Sequence, residues 1–361
     1  MKLKKLDLYI IRNFLGTFFF MLAIIMAIAV VFDISEKLDD FVKTQPSVKE
    51  IIFDYYLNFV FYFGNLFSSL LIFLSVLWFT SKLAQQTEIV AILSSGVSFR
   101  RLMVPYFIGA TILVLLSLFF TLFQLPIANK TRLAFEEKYI RIPFKLEQEN
   151  IHREIQKGTI MYFENYSFSN NMGYKFSIEK WNSKNELTYK LLAEKASYDS
   201  ATNKWSIDNY YVRHFDKNQE TITKGIKLDT ILAFKPSDIG QRLNYSSAMT
   251  IKELSEFIKK EEMKGSDQVT YYKIDKYQRY SYPFAAYILT LIGVAVSSRK
   301  VRGGLGIHLA TGVLIALVYV FAMKVATVAA TNIGLSPIIA VWLPNAMFLI
   351  LSIFLYVRAP K

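Results

Sequence analysis

Six apolar stretches decide more about this chain than any other feature of its sequence. An isolated helix needs roughly 20 apolar residues to cross the ~30 Å hydrocarbon core of a bilayer. The runs near Ile10 to Phe32, Tyr56 to Phe79, Val104 to Leu125, Tyr277 to Val296, Leu305 to Val328 and Leu335 to Val357 all meet that length. Backbone amides inside hydrocarbon have no water to bond, so each run is expected as a helix. The composition agrees: 53% of residues are hydrophobic and 16% aromatic, above the roughly 45–50% apolar content of soluble domains.

Charge then orients the set. The net charge of +13 carries no nucleic-acid motif with it, and in a membrane protein excess Lys and Arg collect in cytoplasmic loops. Lys2, Lys4 and Lys5, then Lys82, Arg100 and Arg101, then Arg299, Lys300 and Arg302, then Arg358 and Lys361 fall on one side of the alternating spans. That side is read as the cytoplasm, with both termini there. The opposite side receives an acidic loop from Asp33 to Asp54, a short turn from Ala329 to Ser336, and the long segment that starts at Pro126. The first run exceeds a signal-peptide core and no small-x-small cleavage site follows it, so it is expected to be retained.

The periodicity changes between the third and fourth runs. Thr159 to Phe163, Tyr174 to Trp181, Leu187 to Leu192 and Trp205 to Arg213 alternate apolar and polar residues between Asn, Ser, Gly and Asp turns, the pattern of an antiparallel sandwich or jelly roll. Tyr162, Phe163, Phe176, Ile178 and Trp181 are its candidate core. Thr250 to Glu253 has capping-box form, and Ile251, Leu254, Phe257 and Ile258 follow at helical spacing towards Gly265. Tyr271, Tyr272, Tyr277, Tyr280 and Tyr282 then lead into the fourth run like an interfacial aromatic belt. The expected organisation is three spans over 1–125, a β-domain with its amphipathic helix over 126–265, and three spans over 266–361.

Local chemistry excludes several classes. There is no cysteine, and His152, His214 and His308 are too scattered for a metal pair. No phosphate loop ending in Lys-Ser or Lys-Thr is present, and neither His-Glu-x-x-His nor Gly-x-Ser-x-Gly occurs. No catalytic residue is assigned. Pro105, Pro283 and Pro344 are read as punctuation near span starts.

Between the second and third runs, Leu83-Ala-Gln-Gln-Thr-Glu-Ile-Val-Ala-Ile-Leu-Ser-Ser-Gly-Val-Ser-Phe-Arg-Arg101 is too polar to cross. With Arg302-Gly-Gly-Leu-Gly306, Leu335-Ser-Pro-Ile-Ile-Ala-Val-Trp-Leu-Pro344 and the order of three spans, β-domain, three spans, it resembles the LptF/LptG lipopolysaccharide export permeases, its last span being the more LptG-like. The resemblance implies a membrane α-helical fold of six transmembrane helices with an inserted periplasmic jelly roll, in the bacterial inner membrane. It also implies a second LptF/LptG-type permease, an LptB-like ATPase dimer that binds ATP and Mg, and LptC-like and LptA-like periplasmic proteins. Lipopolysaccharide would be the substrate, drawn from membrane lipid, with the β-domain interior receiving acyl chains so that core and groove are one surface. The chain itself would need no cofactor.

Within that resemblance the stretch over about 83–98 is a coupling helix, with Glu88 as the anionic contact beside Ile89, Ile92 and Leu93. The same residues also describe an interfacial helix with a solvated Glu. Lys324, the one charge counted inside a run, would either snorkel to the interface or meet a lipid headgroup. Basic residues expected near the outer end of the first run are replaced by Asp33, Glu36, Asp39 and Asp40, with Lys37 and Lys43 opposing, which leaves Lys37 beside Lys324 as a candidate substrate contact. A non-transporting mechanotransmission scaffold and an intramembrane enzyme or secondary transporter are the other classes the sequence admits.

Overall fold

Every apolar run is helical in the computed structural model, which describes residues 4–140, 147–167, 170–182, 184–200, 202–216, 219–236, 243–263, 265–266, 268–301 and 304–359. Lys2, Arg302 and Lys361, which entered the charge argument, and Gly303 lie outside the described residues. Among the described residues, six helices are long and apolar enough to cross a membrane. One compact unit comprises Met1–Tyr139, Ser247–Lys252 and Thr270–Lys361, the other Ile140–Ser246 and Glu253–Val269.

The helical unit is arranged around its second span. α1 (Lys5–Thr44) is the first span; α2 (Leu57–Leu66) leads into α3 (Ser68–Gln85), the second. A short helix, α4 (Glu88–Ser94), precedes the third span, α5 (Phe99–Phe119), which continues into α6 (Leu125–Phe135). Within its span window α3 is 72% buried, against 17% for α1. Ile72 and Val76 of α3 lie in one cluster with Phe14 of α1 and Tyr106 of α5. Phe73 and Leu77 enter a second cluster with Leu289, Tyr319 and Phe348, which belong to the last three spans. Those spans are α8 (Val269–Ser297), α9 (Gly304–Asn332) and α10 (Pro337–Val357). Small residues set the approach: a Cβ on Gly312 would strike Leu77, and one on Gly109 would lie 2.6 Å from Phe14. Tyr319 donates to Asn345 Oδ1 at 2.9 Å, tying the fifth span to the sixth.

The helices run on where the sequence suggests loops. The stretch from Asp33 to Thr44 is not a loop but the last turns of α1, with Leu38 and Phe41 at helical spacing. At ~1.5 Å per residue the 40 residues of α1 reach ~60 Å, about twice the hydrocarbon thickness. The third span likewise continues as helix from Phe99 to Ile140. A π-helical turn over Phe120–Gln124 precedes Pro126, which falls in the first turn of α6, where its missing amide costs nothing. Phe41, Tyr55, Tyr56, Phe59 and Phe135 close these extensions with ring contacts of 4.9–6.5 Å. Ser47, then Tyr139, hydrogen-bond the Glu50 carboxylate and hold its pKa down at about 2. Pro105, Pro283 and Pro344 lie inside helices and end none of them.

Among the described residues the strands of the β unit form one antiparallel sheet in chain order: β1 (Glu147–Gln156), β2 (Thr159–Ser167), β3 (Met172–Trp181), β4 (Leu187–Asp199), β5 (Lys204–Asp216) and β6 (Gln219–Thr230). Such a meander pairs each strand with its sequence neighbour, whereas a jelly roll crosses between two sheets by Greek-key connections. Alternation alone reports which residues share a face, not which strands pair, so it cannot separate the two. A crease crosses the sheet. Phe163, Phe176, Ala193 and Tyr210 form one row and Asn165, Tyr174, Lys195 and Asp208 the next but one. In the row between them stand Lys175 and Asn209 in left-handed conformation. The buried face changes parity there, from Phe163 to Tyr166 and from Ala193 to Ala196.

One face of the sheet is filled by Phe163, Tyr166, Phe176, Trp205 and Phe234, with the Trp205 indole donating to the Phe234 carbonyl at 3.0 Å. Tyr162 points to the other face and Trp181 is exposed at a strand end, so those two leave the expected core. A groove of about 890 Å³ lies on that other face, lined by Tyr162, Leu192, Tyr211, Lys224 and the crease. Phe176 and Ala193 of the core also line this groove, so core and groove share part of their wall. α7 (Ile251–Met263) is amphipathic as its spacing predicts and ends at Gly265 with φ +65°. Its Glu261 pairs with Arg153 of β1 at 3.4 Å, both side chains 9% exposed. Glu261→Ala should destabilise this unit by about 3 kcal/mol by stranding a buried guanidinium, whereas Glu261→Leu with Arg153→Met should restore most of it; thermal unfolding of the full chain, followed by its tryptophan fluorescence, measures both.

Candidate functional site

Polar contacts join different helices at the end of the bundle that carries Lys5, Gln85 and Gly304. Asp7 accepts two hydrogen bonds from the Arg101 guanidinium, at 2.7 and 2.6 Å, and one from the Lys4 amide at 2.7 Å. This bidentate pair locks the start of the first span to the start of the third. The sequence treats Arg101 only as a topology charge, because its partner lies 94 positions away. Asp7 is 2% exposed and Arg101 27%, so the two partners are unequal.

α4 lies beside this pair. It begins at Glu88 and is shorter than the expected stretch over 83–98, because Thr87 adopts a left-handed conformation and ends the helical path from α3. Glu88 accepts a hydrogen bond from the Tyr9 hydroxyl at 3.3 Å. Ile89 is buried in the core cluster, and Ile92 and Leu93 pack against it. The apolar ridge thus faces the protein's own helices. What α4 presents outward is the Glu88 carboxylate, Val90 at 52% exposure and the polar turn at Ser94 and Ser95.

The first and fifth spans pack on different sides of α3 and flank a groove of about 770 Å³. α1 supplies Arg12, Asn13, Thr17, Phe20, Met21 and Ile24, α3 supplies Leu74 and Trp78 as the floor, and α9 supplies Leu309. These two flanking helices are also the least buried spans, 17% and 22% within their windows. Arg12 lies two residues inside the first apolar run, a charge that the sequence count, with Lys324 alone, passes over.

The remaining predicted contacts lie towards the opposite end. Lys324 is exposed on α9, ~30 Å along the helix from Gly304, next to exposed Phe321 and Val325. Among the described residues it makes no ion pair or hydrogen bond. Lys37 instead pairs with Asp33 at 2.6 Å, donates to the Tyr55 hydroxyl and sits 4.6 Å over the Tyr55 ring. An anionic ligand would have to displace Asp33 to reach it. Nearby, Arg132 and Glu136 form a buried pair, with the guanidinium over the Tyr62 ring. Lys324 and the Arg12 groove thus lie at different depths along the spans, whereas Glu88 belongs to the end that α4 occupies. Among the described residues no group of acidic, histidine or cysteine side chains could hold a metal ion.

Arg101→Ala should cost more stability than Asp7→Ala. The first strands a buried carboxylate, whereas the second frees a guanidinium that reaches water. Melting curves of both variants in detergent test the order.

The sequence profile of the family described as Lipopolysaccharide export system permease LptF/LptG matches residues 8–358. It covers both members without separating them. No curated protein matches the chain.

Proposed function

This chain belongs to the LptF/LptG family of lipopolysaccharide export permeases, and from that membership we propose that it forms one half of an ATP-driven permease pair. It is a multi-pass inner-membrane protein of a transport family rather than an enzyme family. The observation that carries the reading further is the lateral face formed by the first and fifth spans, the two spans least buried within the chain.

In this mechanism a second LptF/LptG-type permease faces that surface, and the acyl chains of lipopolysaccharide enter between the first and fifth spans at their Lys324 end. Lys324, exposed and without an internal partner, offers its ammonium to a phosphate or carboxylate of the headgroup. Lys37 contributes only when it leaves Asp33. An LptB-like ATPase dimer, binding ATP and Mg itself, docks on α4 through Glu88 and Val90. The two termini and α4 are then cytoplasmic, as the positive-charge distribution favours, and the β unit is periplasmic. Nucleotide-driven closure of the ATPase dimer moves α4. Because Ile89 is packed in the core and Asp7 holds Arg101, that movement reaches the first and third spans rather than dissipating in a loose loop. The first span then moves against the fifth, expelling lipid towards the β unit and onward to LptC-like and LptA-like proteins.

Solubilised from its native membrane in mild detergent, the tagged chain should bring with it a cytoplasmic ABC ATPase and a second six-span permease. Glu88→Ala should lower the associated ATPase activity at least tenfold while leaving the melting temperature unchanged, since among the described residues the Glu88 carboxylate bonds only the Tyr9 hydroxyl, at 3.3 Å. Recovery of the chain alone, from membranes whose other complexes remain intact, would favour a non-transporting scaffold. Lys324→Ala should reduce photocrosslinking of lipopolysaccharide to the fifth span severalfold; unchanged crosslinking and transport would remove Lys324 from the path.

A further inference from the structure

The groove around Arg12 has the composition of a lipid site, and its position along the spans separates it from the Lys324 region. Arg12 sits at its lip, exposed, and has no ion pair or hydrogen-bonding partner among the described residues. The other polar groups of α1 in the groove are engaged within the helix: Asn13 donates to the Tyr9 carbonyl at 2.9 Å and Thr17 to the Asn13 carbonyl at 2.8 Å. One unpaired guanidinium therefore stands at the head of an apolar trough made by Phe20, Met21, Ile24, Leu74 and Leu309. Trp78 lines the trough at 41% exposure, and its indole N–H has no partner among the described residues.

Length assigns the trough to one leaflet. From Arg12 to Ile25 is ~20 Å along a helix, slightly more than the ~15 Å half-thickness of a hydrocarbon core. The volume of about 770 Å³ lies within the roughly 300–1,000 Å³ of small-molecule pockets. The charge selects the headgroup: exposed Lys4 and Lys5 stand at the same helix end as Arg12, so an anionic lipid is favoured over a zwitterionic one.

We propose that this groove holds a resident anionic glycerophospholipid from the leaflet on the Lys5 side. Its phosphate is bound by Arg12, its glycerol-ester region is offered the Trp78 indole, and an acyl chain lies along Phe20, Met21 and Ile24. The lipid fills the space that the first and fifth spans leave over α3, and it is distinct from any cargo engaged at the Lys324 end. The inference rests on the membrane-spanning reading and not on export.

Trp78 makes it measurable. The full chain, with whatever partners it retains, is placed in phosphatidylcholine nanodiscs doped with phosphatidylglycerol carrying dibrominated acyl chains, and the Trp78 component is obtained by subtracting a Trp78→Phe variant. Quenching should reach half-maximum at about tenfold less brominated phosphatidylglycerol than brominated phosphatidylcholine, as a charge-assisted contact would give. Arg12→Gln should abolish this preference with an unchanged melting temperature, and Arg12→Lys should keep most of it. Equal quenching by the two lipids, or a preference that survives Arg12→Gln, would overturn the assignment. So would one-for-one displacement of the brominated lipid by lipopolysaccharide, since the groove would then belong to the cargo path. Native mass spectrometry of the unaltered chain gives an independent reading: retained phosphatidylglycerol supports the site, and retention of neither lipid in preference overturns it.

Discussion

Packing on α3 is the constraint from which the rest of the helical unit follows. With no water to satisfy backbone groups and no hydrophobic gain from moving apolar side chains out of lipid, spans associate where their backbones can approach closely. Gly312 brings the fifth span onto Leu77, and Gly293 brings the fourth to within contact of Val76. The first span packs on α3 through Phe14 and Phe18, beside Ile72 and Val76. Two helices held on different sides of a third leave a trough between them. The groove is a geometric consequence of that arrangement, and its contents follow from which residues of α1 face it.

Among the described residues the ion pairs of this unit lie towards its two ends. At one, the Asp7–Arg101 pair and the Tyr9–Glu88 hydrogen bond join the first span to the segment between the second and third. A short helix with a buried Ile89 and a salt-bridged neighbour behaves as part of the bundle rather than as a loop. That rigidity is what any device transmitting force through α4 requires. At the other end, Asp33–Lys37 and Arg132–Glu136 lie among tyrosines and phenylalanines, where the aromatic rings exclude water and the ion pairs neutralise each other. Charges that look available in the sequence are largely spent there on one another, and Lys324 stands apart because nothing among the described residues pairs with it.

The β unit solves a separate problem. A meander needs only turns between neighbours, but a sheet of six strands must curve to cover its own core. The crease through Lys175 and Asn209 provides that by letting the inward face change parity in register across the strands. It puts Phe163, Phe176 and Trp205 on one filled face and leaves Leu192 and Tyr211 beside an open groove on the other.

Local pattern by itself determined the six spans, the change to period-two alternation in the middle and the amphipathic helix after Thr250, because hydropathy and periodicity are properties of contiguous residues. The family was legible too, in the stretch from Leu83 to Arg101 and the order of elements. Tertiary structure alone decided that α1 runs on through Asp33 to Thr44 and that the third span continues past Pro126: whether a mixed segment stays helical depends on partners such as Phe41 and Tyr55 meeting across helices. It also decided that Ile89, Ile92 and Leu93 face inward, that Asp33 holds Lys37, and that Arg12 is left unpaired at the head of a trough. A side chain's partners lie many positions away in sequence, and only the packing of spans on α3 brings them within reach or keeps them apart.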